Sequence, residues 1–100
     1  MTNKISISYC ICVHNEHLEL SLLLKKLMKF LGEDDEIIIQ GDQGKVTEEV
    51  VSVVRGALKD SRVKYLEFPL NKDFATFKNN AFKHCSKDYI YLIDPDEIPH

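Results

Sequence analysis

Asp94 and Asp96 stand either side of Pro95, directly after the apolar run Tyr89-Ile90-Tyr91-Leu92-Ile93. Such β-favouring residues in a row read as a buried strand. Pro95 has no N–H to give a ladder and turns Asp94 away from helical geometry, so the strand stops there with both acids at its C-terminal tip. Two carboxylates this close repel each other unless a cation sits between them. A hard divalent ion answers that need: Mg²⁺ and Mn²⁺ take one or two protein carboxylates and complete their shell with water and phosphate oxygens. The plainer reading of the same residues is a solvated acidic turn, and Asp94 and Asp96 alone do not decide between the two.

Other reactive groups offer less. Cys10, Cys12 and Cys85 have no metal-ligand or redox spacing, and Cys10 and Cys12 fall on one face of a strand, where buried reduced thiols are the ordinary explanation. A C-x-C pair beside His14 or His84 is not a structural zinc pattern. His17 and His84 read as surface helix residues. Glu97 and His100 are titratable and follow the acidic pair, and a solvated segment is favoured over a general-base role for them.

The elements that must position Asp94 and Asp96 follow in order. Residues 5–13 alternate, with Ile5, Ile7, Tyr9, Ile11 and Val13 on one face and Ser6, Ser8, Cys10 and Cys12 on the other. This predicts a central strand whose small-residue face lets a helix pack close. It breaks at His14-Asn15-Glu16. A helix follows, with Leu20, Leu24, Leu27 and Leu31 on its core stripe and Gly32 at its end. The acidic turn Glu33-Asp34-Asp35-Glu36 is expected to be solvated. Ile37-Ile38-Ile39 is typical of a strand covered on both faces, and it opens into the glycine-rich Gln40-Gly41-Asp42-Gln43-Gly44, which permits close backbone approach to a ligand.

Thr47, Glu48 and Glu49 start a second helix carrying Val50, Val53, Val54, Ala57 and Leu58. Residues 63–68 form a third strand, and Lys64 and Glu67 suggest that it is a sheet edge. Asp73 caps a third helix with Phe74, Phe77, Ala81 and Cys85 as apolar positions, and for Phe68 and Phe74 core packing is favoured over contact with a ligand. Residues 89–93 form the last strand.

Strands and helices alternate with short joints, which predicts a three-layer α/β/α domain over residues 1–100 with a mainly parallel, Rossmann-like sheet of about four strands. In such sheets ligands bind outside the carboxyl ends of the strands. Every polar break falls there: His14-Asn15-Glu16, Gln40 to Gly44, Asn71 to Asp73, and Asp94 onward. Four segments distant in sequence are thereby expected on one rim, which favours the metal reading of Asp94 and Asp96 over the solvated turn.

The net charge of −3 argues against a nucleic-acid partner held by phosphate neutralisation. No apolar run approaches the roughly 20 residues that span a bilayer, and no signal-peptide pattern is present, so a cytoplasmic location is expected, peripheral to the membrane at most.

The segments Asp73-Phe-Ala-Thr-Phe-Lys78-Asn79-Asn80-Ala81 and Lys87-Asp-Tyr-Ile-Tyr-Leu-Ile-Asp94-Pro95-Asp96-Glu97, with Cys12-Val13-His14-Asn15-Glu16 before them, resemble the N-terminal, nucleotide-binding half of a family 2 GT-A glycosyltransferase. The lipopolysaccharide-core type is the nearest in pattern. The resemblance implies a GT-A fold ending shortly after its D-x-D motif, and metal-dependent, inverting transfer of a sugar from a nucleotide-diphospho-sugar. A UDP-sugar is the expected donor, with a glycan or lipid-linked acceptor. It further implies Val13, Asn15 and Glu16 against the nucleoside, Asp42 near the base, and Lys78 where the family has arginine. Asp94 would meet both nucleotide and metal, and Asp96 would be the second ligand to Mn²⁺ or Mg²⁺. Lys78 keeps the charge and loses arginine's bidentate fork. The paired aspartates usual at the second-strand exit are replaced by Gln40-Gly41-Asp42.

The general base of the resemblance lies beyond the D-x-D, so no catalytic residue is assigned. The alternative function is a non-catalytic nucleotide-binding or interaction fragment. A receiver-like module fits less well, since it wants an acidic cluster at the first-strand exit. A sheet cut after its fourth strand is expected to leave an apolar edge, favouring self-association.

Overall fold

The structure, a computed structural model, describes residues 5–95. Asp96, Glu97 and His100 lie outside the described residues. Strands β1 (Ile7–Val13), β2 (Glu36–Asp42), β3 (Val63–Phe68) and β4 (Tyr89–Ile93) alternate with helices α1 (His17–Phe30), α2 (Glu48–Ala57) and α3 (Phe74–Lys83). The four strands form one sheet in the order β3-β2-β1-β4, and every pairing is parallel. β1 is central and β3 is an edge, as the alternation in the first and the charges in the third predict.

Alternation within β1 divides the core. Tyr9, Ile11 and Val13 pack with Leu20, Leu23, Leu24 and Leu27 of α1 and with Val50 and Val54 of α2. On the other face Cys10 and Cys12 meet Phe77 and Ala81 of α3. Sulfhydryls there leave room for the Phe77 ring, so α3 closes that layer and completes an α/β/α, Rossmann-like arrangement.

Caps hold the helices in place. The Thr47 hydroxyl accepts from the Val50 N–H at 3.3 Å, and the Asp73 carboxylate accepts from the Thr76 N–H at 3.1 Å. α1 ends differently from expectation. Leu31 is its last capping residue, in extended geometry, and Gly32 does not take a left-handed turn. Its N–H is instead held by Asp35 at 2.8 Å.

The acidic turn before β2 is only partly solvated, which corrects the sequence expectation. Asp35 also accepts from the Ile7 N–H at 2.9 Å. Glu36 is 2% exposed and accepts from the Ser8 hydroxyl at 2.6 Å and from the Ser86 N–H at 2.7 Å. It joins β1, β2 and the entry to β4 at the end of the sheet opposite the predicted rim. β1 begins at Ile7 rather than Ile5, because Ser6 turns its N–H and hydroxyl to Asp88, at 3.0 and 3.1 Å.

Among the described residues β4 is the second edge, and Tyr89, Ile90 and Tyr91 are exposed on it. Beside it lies an apolar cavity of about 610 Å³, floored by Ile7, Tyr9, Leu27 and Ile93 and flanked by Phe30 and Tyr91. It has no converging carboxylates, and it is the open flank of the sheet next to α1.

Candidate nucleotide cleft

Parallel register decides what meets at the carboxyl rim. Val13 lies opposite Gly41, Gly41 opposite Glu67, and Ile11 opposite Ile93. β4 therefore runs out two residues earlier than β1, and Asp94 follows beside the level of Cys12. α3 crosses the same end after a turn in which Asn71 and Lys72 have φ of 47° and 60°. The result is a cleft of about 290 Å³ lined by Cys12, His14, Glu16, Phe74, Phe77, Lys78, Asp94 and Pro95.

Three of the residues singled out from sequence, Glu16, Lys78 and Asp94, thus share this cleft. Glu16 stands at the start of α1 and folds back over its own loop, accepting from the His14 N–H at 3.5 Å and from the Asn15 N–H at 3.2 Å. A carboxylate at that position is favoured by the positive end of the helix dipole. Val13 is fully buried in the core, so its main chain alone can face a ligand. Asn15 is exposed and outside the lining. Asp42 is 4% exposed and points inward, with one oxygen accepting from the Leu70 N–H at 3.0 Å and the other 3.8 Å from His14 Nδ1. It braces the β2 exit against the loop leading to α3.

Gly41 does not offer its backbone to a ligand, because a side chain there would meet the Tyr65 hydroxyl at 2.7 Å and Val46 at 2.8 Å. The glycine lets Tyr65 and Val46 close over the strand.

Sequence reasoning missed two positioning residues and misassigned a third. Gln40 is fully buried, donates to the Phe77 carbonyl at 2.7 Å and accepts from the Asn80 side chain at 2.8 Å. These bonds dock α3 on the sheet and so set Phe77 and Lys78. The signal was a glutamine ending an isoleucine run that should be buried. His14 lies nearly parallel to Phe77, with centroids 5.9 Å apart and planes at 18°, and it forms part of the cleft wall. Phe74, for which the sequence favours core packing, is 61% exposed at the cleft, where it is the first residue of α3. Phe68 does pack beside Phe77 as expected.

Cys12 also faces the cleft. The Cys10 thiol donates toward its sulfur, which lowers the pKa of Cys12 and, with burial, raises that of Cys10. All three cysteines are free thiols.

Among the described residues no three His, Cys, Asp or Glu side chains converge as a metal site. Asp94 supplies one hard oxygen donor to the cleft. That fits Mg²⁺ or Mn²⁺, which draw most of their ligands from water and phosphate, and it does not fit an ion needing a full protein cage. No helix among the described residues is long and apolar enough to cross a membrane.

The family model of Glycosyl transferase family 2 matches residues 8–100. No curated protein matches the chain. The matched span takes in every strand and helix described above except Ile7 at the start of β1, and the chain belongs to that family.

Proposed function

We propose that this family 2 glycosyltransferase domain holds a UDP-sugar in the cleft at the carboxyl rim, in a metal-dependent, inverting transfer to a glycan or lipid-linked acceptor. Membership in the family assigns the chain to sugar transfer from a nucleotide-sugar donor. One observation carries the finer reading: Lys78, Glu16 and Asp94, from three separate elements, line one cleft with aromatic walls. A nucleoside diphosphate asks for a flat apolar surface, a cation for phosphate, and a carboxylate for a bridging metal.

In this reading the Lys78 ammonium neutralises the diphosphate as a point charge without bidentate geometry. Asp94, with Asp96 two residues on in the sequence, would hold Mn²⁺ or Mg²⁺. Such an ion, when bound, offsets the charge that develops on the departing nucleoside diphosphate. The Val13 main chain, Asn15 and Glu16 border the nucleoside. Asp42 acts on it through His14 and the Leu70 loop, since its own oxygens are engaged there. The lipopolysaccharide-core type remains the favoured subtype on the Asp73-to-Asn80 and Asp94-to-Glu97 segments.

Calorimetric titration with UDP tests this reading. Binding that strengthens in Mn²⁺, and loses that gain in Asp94→Ala, is the expected result. A folded chain that binds UDP equally with and without Mn²⁺ refutes the metal role, and one that binds no nucleoside diphosphate refutes the donor cleft.

A further inference from the structure

Phe74 and Phe77 are three residues apart on α3 and therefore share a helix face. Their fates differ sharply. Phe77 is 2% exposed, whereas Phe74 is 61% exposed and opens onto the cleft. Phe77 stacks with His14 and packs against Phe68, while Phe74 contacts no other ring among the described residues. Asp73 alone caps the helix, so the Phe74 ring serves neither the cap nor the core.

Lys78 lies four residues after Phe74, one helical turn along the same face, and lines the same cleft. α3 therefore presents a bare aromatic face and an ammonium side by side. Resting on the donor-cleft reading above, we infer that Phe74 is the platform on which the nucleobase stacks, with Lys78 one turn away at the phosphates. Stacking uses the π-face common to all bases, so Phe74 contributes affinity without choosing among them. Selection of the base then falls to groups that can hydrogen-bond its edge.

The test uses the full chain in Mn²⁺, titrated with UDP and separately with inorganic pyrophosphate, which has no base. Base–aromatic stacking predicts that Phe74→Ala weakens UDP roughly five- to hundredfold and leaves pyrophosphate unchanged. Phe74→Trp, which restores a flat face, keeps UDP affinity. An unchanged UDP affinity in Phe74→Ala overturns the inference, as does an equal loss for pyrophosphate, which would report damage to the start of α3. Wild-type protein that binds pyrophosphate but gains nothing from the base of UDP also overturns it, with the phosphate site intact. Wild-type protein that binds neither probe removes the donor cleft, and the stacking role falls with it.

Discussion

Glu36 is the charged residue whose removal the structure prices most directly. One carboxylate oxygen takes the Ser8 hydroxyl at 2.6 Å, the Ser86 N–H at 2.7 Å and the Ser86 hydroxyl at 3.0 Å, and the side chain is almost wholly buried. Glu36→Ala leaves the buried Ser8 hydroxyl without this acceptor, at about 1–3 kcal/mol, and removes the bonds from Ser86, an exposed residue whose groups can turn to water, at about 0.5–1.5 kcal/mol. The Lys64 ammonium, 3.4 Å away on an exposed side chain, adds little. The expected loss is about 2–5 kcal/mol, a large part of the roughly 5–15 kcal/mol that such domains possess. At roughly 4–8 °C per kcal/mol, Tm falls by on the order of 10–40 °C.

Protonation removes the same support. Burial pushes the Glu36 carboxyl up, but the Ser8 hydroxyl, the Ser86 N–H and hydroxyl and the Lys64 ammonium together hold it below its ordinary 4.5. A depressed carboxyl stabilises the fold above its unfolded value, and that stability is lost as pH falls through the folded value. Glu36→Gln, which keeps the shape, therefore differs most from wild type at neutral pH and converges on it in acid. Urea unfolding followed by circular dichroism, in steps from pH 7 downward, measures both effects. Glu36→Ala within about 0.5 kcal/mol of wild type, the range of an ordinary surface change, would refute the reasoning. So would a Glu36→Gln difference that does not shrink in acid.

Three other perturbations follow from the geometry. Gly41→Ala forces a methyl against the Tyr65 hydroxyl and Val46 and should cost about 1–3 kcal/mol in chemical denaturation, part of which Tyr65→Phe restores by removing the hydroxyl. Gln40→Leu removes the acceptor from Asn80 and the donor from the Phe77 carbonyl, and is expected to cost about 1–3 kcal/mol while weakening UDP binding, because α3 then carries Lys78 less firmly. We further propose that the exposed β4 edge makes the chain self-associate. Sedimentation velocity should show mass rising with concentration and falling again in Ile90→Lys, and a concentration-independent monomer would count against it.

The fold was legible because period-2 alternation in residues 7–13, the isoleucine run and the capping residues Thr47 and Asp73 are local signals that tertiary packing then reinforced. The partners of Glu36 were not. They lie 28 and 50 residues away, and four consecutive acids give no sign of which one will meet them. Helical spacing correctly grouped Phe74 with Phe77, but it carries no information about which turn of the helix the sheet covers, and the ring at the first residue of α3 opens onto the cleft. Glycine at position 41 signalled close approach truthfully, and only the neighbouring strand could show that the approaching group was Tyr65. At the site, residue type and strand-end position were enough to bring Glu16, Lys78 and Asp94 together. They could not show that Asp42 turns inward to the Leu70 N–H and His14.

Residue-resolved NMR of the chain during titration with UDP and Mg²⁺ tests the central claim most directly, since it locates the nucleotide on the molecule and the diamagnetic ion leaves the resonances sharp. The account predicts shifts at His14, Asn15, Glu16, Phe74, Lys78 and Asp94 that diminish without the metal. Shifts gathered instead around Phe30, Tyr91 and Ile93, along the open flank of β4, would contradict it.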